Sequence, residues 1–153
     1  MPSNKIVAFV HFVWATWDRT EIITPDIERP LYRYIDKVCR DHKCDVLAVG
    51  GMPDHVHLLV TFPGTLTFGD LMRDVKGGSS RFVTEELKHG EWFEWQGSYG
   101  AFTVSPAHKN KVMAYIRNQK QHHGDDTVWP EAEVSDTDPR PVSAKADTRR
   151  NAP

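Results

Sequence analysis

The chain has 153 residues, 39% of them hydrophobic and 26% charged, with 19 Lys+Arg, 21 Asp+Glu and two Cys. That length favours one domain with a useful core, and no stretch approaches the roughly 18 consecutive apolar residues of a membrane span. The opening Met1-Pro2-Ser3-Asn4-Lys5 lacks the basic-then-apolar layout of a secretory leader, so the expectation is a soluble, cytoplasmic protein. Cys39 and Cys44 match neither a C-x-x-C redox pair nor half of a zinc site and read as reduced structural thiols.

A formal net charge of −2 argues against a polyanionic partner only when averaged over the whole chain. Residues 124–153 hold seven acids against four bases, together with many Pro, Ala, Thr and Ser, and predict an acidic, Pro-rich, disordered tail in which only Val128-Trp129 could dock. Residues 1–123, the predicted domain, are slightly basic and carry all eight His. Such a domain can bind nucleic acid wherever its Lys and Arg meet phosphates.

Residues 5–17 (KIVAFVHFVWATW) are β-branched and aromatic on both alternating faces, which predicts a central strand. Thr24-Pro25 is a helix start; Ile27, Leu31, Tyr34, Ile35 and Val38 recur at helical spacing to about Asp41, with Pro30 in the first turns or at a kink. Residues 45–49 and 55–62 are strand candidates joined by a turn-rich Gly50-Gly51-Met52-Pro53-Asp54. Thr67 and Asp70 form a capping pair for a helix reaching about Lys88. Within it Gly77-Gly78 costs about 1 kcal/mol per Gly relative to Ala, which predicts that something approaches the backbone closely there. After a fourth strand at residues 100–104, Ser105-Pro106 opens a last helix ending near His122-His123. The order β-α-β-β-α-β-α predicts an α+β, ferredoxin-like antiparallel sheet with helices on one face and an appended C-terminal helix.

His55-Val56-His57 is the most informative triplet. On a strand, residues i and i+2 face the same way, so both imidazoles project from one face and could share a divalent ion, given a third ligand from elsewhere. The pattern alone equally fits ordinary histidines on a polar strand face. His11, single in an apolar strand, reads as a satisfied core residue. On the last helix Tyr115 and Gln119, at i and i+4, share a face: a Tyr hydroxyl can be a nucleophile and an amide oxygen can ligate a hard ion. A core Tyr with a solvated Gln is the plainer alternative.

Taken together, Gly51-Met52-Pro53-Asp54-His55-Val56-His57-Leu58-Leu59-Val60 and Tyr115-Ile116-Arg117-Asn118-Gln119 with His122-His123 resemble the HUH single-strand DNA transposases that use one tyrosine. These are the small insertion-sequence transposases and the REP-associated tyrosine transposases. Trp14-Ala15-Thr16-Trp17, Lys76-Gly77-Gly78-Ser79-Ser80-Arg81 and Trp95-Gln96-Gly97-Ser98-Tyr99-Gly100-Ala101-Phe102 agree with it, so the likeness covers about residues 5–123 in order. It implies that His55, His57 and Gln119 hold Mg²⁺ or Mn²⁺ and that Tyr115 attacks a phosphodiester of hairpin-bearing single-stranded DNA. The product would be a 5′-phosphotyrosine and a 3′-hydroxyl that can later rejoin. It also implies a homodimer, with Tyr115 acting in cis or in trans. Arg73, Lys76, Arg81, Lys109, Lys111, Arg117 and Lys120 suit phosphates, and Trp95, Tyr99 and Phe102 suit unpaired bases. The alternatives are a non-catalytic hairpin-binding protein of the same fold and a small metal-dependent hydrolase that activates water.

Overall fold

The computed structural model describes residues 3–124, with side chains through Gln121. The predicted tail beyond residue 124, Val128-Trp129 included, lies outside the described residues, as do the side chains of His122 and His123. Strands β1 (Phe9–Ala15), β2 (Val46–Met52), β3 (His55–Thr61) and β4 (Gly100–Val104) form one antiparallel sheet in the order β2-β3-β1-β4. This is the ferredoxin-like order expected from the chain pattern, with β1 and β3 in the middle. Their central place explains why both read as apolar on two faces.

Helices α1 (Pro25–Asp41) and α2 (Phe68–Phe82) cover one face. Alternate residues Val10, Phe12 and Trp14 of β1 and Val56, Leu58 and Val60 of β3 meet Ile27, Leu31, Ile35, Leu71, Met72 and Val75 there in the main core. Each such side chain contributes about 1.5–3 kcal/mol when withdrawn from water. Pro25 takes the first helical position and Pro30 sits inside α1 without ending it. Thr67 accepts a hydrogen bond from the Asp70 amide and caps α2, as its sequence predicts. Beyond Phe82 the helix widens into one π turn, Val83–Leu87.

The close approach expected at Gly77-Gly78 is met at Gly78. A Cβ on Gly78 would lie 2.6 Å from Tyr34 Oη and 3.2 Å from its ring, whereas one on Gly77 would meet nothing within 4 Å. Tyr34 cannot swing aside freely, because its ring stacks on Phe82 at 4.7 Å. The close approach at Gly78 is therefore α1 against α2 within the chain.

Helix α3 (Lys109–Arg117) lies on the opposite face, over β2 and β3, following a 3₁₀ turn at Pro106–His108. Its apolar contact is small: Ala48, Leu59, Tyr115 and Ile116, flanked by Phe9, Leu47, Val104, Val112 and Met113. Two boundaries differ from the sequence expectation here. Gly50 and Gly51 belong to β2 rather than to a turn, and each must stay bare: a Cβ on Gly50 would stand 2.3 Å from the Ile116 carbonyl oxygen of α3, and one on Gly51 2.1 Å from the His55 carbonyl oxygen of β3. The expected single last helix is also interrupted at Asn118 (φ −103°, ψ 25°), and α4 (Gln119–Gly124) starts afresh. Among the described residues no helix is long and apolar enough to cross a membrane.

Candidate active site

The sheet's second face carries the polar residues. Register places Ala15 opposite His55, Val13 opposite His57 and His11 opposite Leu59 on β1 and β3, while Gly50 and Met52 of β2 flank the same histidines from the other side. Paired residues in an antiparallel ladder share a face, so His11, His55 and His57 all point toward α3. Gly50 lets α3 down onto this surface, which brings Tyr115 and Gln119 to the imidazoles. His55, His57, Tyr115 and Gln119 are each at most 1% exposed. The structure thus gathers all four predicted site residues, from one strand and two short helices of one chain.

Their contacts are specific. His55 Nδ1 lies 2.7 Å from Asp54 Oδ1, and its Nε2 lies 3.3 Å from Gln119 Oε1. The Gln119 amide nitrogen donates to the Tyr115 carbonyl at 3.4 Å, bridging the break between α3 and α4. The His55 and His57 rings meet edge to face with centroids 5.1 Å apart, and Tyr115 stands edge-on to His57 at 5.8 Å. His57 Nδ1 lies 2.8 Å from His11 Nε2.

Asp54 is fixed from its other side. Arg19 Nε donates to Asp54 Oδ2 at 3.1 Å, and the Thr16 amide donates to the Asp54 carbonyl at 2.9 Å. Arg19 reaches this position from a turn in which both Asp18 and Arg19 hold left-handed backbone, φ 54° and 55°. Two consecutive non-glycine residues there cost of order 1–3 kcal/mol each, and such strain is characteristic of functional sites. Burial works to raise the Asp54 pKa, but the His55 hydrogen bond and the charges of His55 and Arg19 outweigh it and hold the carboxyl below its usual value.

The donor set suits a hard divalent cation. A carboxylate at His55 Nδ1 holds one ring proton there, so Nε2 is the ring nitrogen that faces Gln119 Oε1; without a second ring proton both are acceptors. Two acceptors this close are relieved by a proton or by a cation between them. The 3.3 Å separation admits either. Among the described residues no three His, Cys, Asp or Glu side chains form a metal-binding group; the third candidate donor here, Gln119, is an amide.

The predicted DNA-contacting residues divide between the two faces. Arg73, Lys76 and Arg81 sit on α2, across the sheet from the histidines. Arg73 pairs with Asp70 and Asp74, and Lys76 Nζ ties down the loop before β4 by donating to the Gln96 and Ser98 carbonyls at 2.6 and 3.1 Å. Trp95 is a core residue rather than an exposed stacking surface: it is 2% exposed, edge-on to Trp14 and Phe93, with Nε1 donating to Ser79 Oγ. Tyr99 is half-buried against Phe12. Phe102 lies on the histidine side with Arg117 at the end of α3, while Lys120 on α4 reaches past edge strand β2 toward α1. Phe102 packs on His11, Arg117 donates to the Leu47 carbonyl, and Lys120 pairs with Glu28 at 2.7 Å. The residues that sequence reasoning passed over are His11, set aside as core, and Asp54, read only as part of a turn. Position in an H-x-H strand's neighbour and directly before the first His were the available signals.

The class of protein, a transposase, is given by its sequence family. The sequence profile of the IS200-like transposases matches residues 6–119, and the chain belongs to that family, whose activity is DNA transposition. The ISDra2 transposase TnpA of Deinococcus radiodurans is 28% identical over 114 residues, which span 71% of this chain and 81% of that protein. Two solved structures share the fold. One, a candidate transposase from Deinococcus radiodurans R1, superposes with a TM-score of 0.61 at 24% identity, covering 78% of this chain and 98% of that one. The other, a REP-associated tyrosine transposase bound to a REP hairpin, has a TM-score of 0.58 at 19% identity, covering 85% and 80%.

Proposed function

We propose that this transposase nicks and rejoins hairpin-bearing single-stranded DNA through a covalent link to Tyr115, at a divalent-metal site made by His55, His57 and Gln119. The observation that supports it most is the convergence of a Tyr hydroxyl side chain with two imidazoles and an amide oxygen in one buried cluster, in a chain of transposase family. A bound Mg²⁺ or Mn²⁺ would supply polarisation of the scissile phosphate and neutralise charge on its oxygens. The absence of Cys and the amide oxygen suit a hard ion that leaves positions open for phosphate oxygens.

The Tyr115 oxygen loses its proton and attacks phosphorus. The P–O3′ bond breaks, a Tyr115–O–P bond forms, and the departing 3′ oxygen takes up a proton. The phosphodiester count is unchanged, so the 3′-hydroxyl of a strand can reverse the step without ATP. Asp54 and Arg19 keep His55 oriented, and Gln119 ties the site to the helix that carries the nucleophile. Arg117, Lys120 and Phe102 would meet the strand near the site; Arg73, Lys76 and Arg81 would contact a more distant part, such as the hairpin. Hairpin recognition is carried over from the relative solved with a REP hairpin.

One chain brings its own Tyr115 to its own His57, which supports a site that acts in cis, in a homodimer as in a single chain. Mixing Tyr115→Phe and His57→Ala proteins tests this: a cis site stays inactive in the mixture, whereas recovered adduct formation would show exchange of Tyr115 between subunits.

A further inference from the structure

The two imidazoles of the cluster are held by different kinds of group. Asp54, an anion, serves His55; His11, a second imidazole, serves His57. One proton must lie between His57 Nδ1 and His11 Nε2, and either ring can own it. If His11 donates it, the remaining proton of neutral His57 sits on Nε2, and no lone pair faces the site. If His57 Nδ1 donates it, Nε2 carries the lone pair that a cation needs.

The geometry points to His11 as a positioning residue that accepts the His57 Nδ1 proton and thereby fixes His57 as an Nε2 ligand, an inference that rests on the metal site proposed above. His11 is well held for this task. It lies on β1, hydrogen-bonded on both sides in the sheet, opposite Leu59 of β3 and Phe102 of β4, and is 3% exposed. The Phe102 ring covers it with centroids 5.9 Å apart, and its own plane is tilted 32° to that of His57 at 5.1 Å. A neutral acceptor also has a chemical advantage over a second carboxylate. It orients the ligand without adding negative charge beside the phosphate that must enter.

The test uses the full chain and Mn²⁺ alone. His11→Phe fills the space but cannot accept the proton, and it should weaken Mn²⁺ binding, followed by calorimetry, by roughly 10–100-fold. His11→Gln can place an amide oxygen where Nε2 stood and should recover binding to within a few-fold. In the metal-free wild type, ¹⁵N-labelled His57 should show its proton on Nδ1, and in His11→Phe that proton should shift toward Nε2. If His11→Phe does not fold, His11→Asn replaces it: the shorter amide does not reach, so it should bind Mn²⁺ more weakly than His11→Gln. Mn²⁺ affinity equal to wild type in His11→Phe, equal affinities for the Asn and Gln variants, or a wild-type His57 protonated at Nε2 would each overturn the inference alone. A wild type that binds no Mn²⁺ would overturn the metal site, and this role with it.

Discussion

The two faces of the sheet are built for different ends. Toward α1 and α2 the strands present Val10, Phe12, Trp14, Val56, Leu58 and Val60, and the buried layer is almost wholly apolar. Toward α3 the same strands present His11, His55 and His57, and the apolar contact shrinks to Ala48, Leu59, Tyr115 and Ile116. Burying polar groups is costly unless each is hydrogen-bonded, so the second face cannot carry the fold. The first face supplies stability, which allows the second to hold a strained turn, a broken helix and a cluster of buried imidazoles.

This division is open to direct attack. On the apolar face, Leu58→Ala should cost about 2–5 kcal/mol, read from urea unfolding, because it leaves a cavity in the centre of the core. On the other face, His57→Ala should abolish metal-dependent cleavage yet cost less stability than Leu58→Ala. Equal losses would break the comparison. Gly50→Ala probes the seat of α3 and should do both kinds of damage. Overpacking against the Ile116 carbonyl should cost about 1–3 kcal/mol and, by lifting Tyr115 and Gln119 from the histidines, suppress cleavage.

A smaller effect is expected at Asp54. Asp54→Asn removes the anionic partner of His55 and should weaken Mn²⁺ binding by roughly 10–100-fold. The smallest lies far from the site, where Lys88 reaches Asp26 at the start of α1. The Lys88 and Thr24 hydrogen bonds pull the Asp26 pKa down to about 2. A carboxyl lowered on folding stabilises the protein above its unfolded pKa of 3.8, and that contribution fades as pH falls through about 2. Asp26→Asn should therefore melt slightly below wild type at pH 6 and together with it near pH 2; a gap that persists at pH 2 would contradict the assignment.

Much of this was legible in the residues. Alternation placed β1 and β3 at the sheet centre, helical spacing found α1 and α2, and the H-x-H pair with Tyr115 and Gln119 named the cluster. What escaped was whatever depends on another element's backbone. Gly50 looks like a turn residue until the Ile116 carbonyl is set against it, and Gly78 looks like a docking point until Tyr34 fills the space. Trp95 looks like a base-stacking aromatic, but Ser79 and the Trp14 ring draw it into the core. His11 and Asp54 differ again, since each acts through a neighbouring histidine and neither makes a motif alone.

The most direct test of the central claim is to trap the enzyme on a labelled single strand carrying a hairpin, with Mg²⁺ or Mn²⁺, and to separate the products under denaturing conditions. Wild type should form a covalent protein–DNA adduct and release a strand with a free 3′-hydroxyl, while Tyr115→Phe should retain the hairpin and form none. An adduct that survives in Tyr115→Phe would contradict Tyr115 as the nucleophile. Retention of the strand by wild type with neither adduct nor cleavage would show a binding protein instead, and cleavage without an adduct would show a hydrolase.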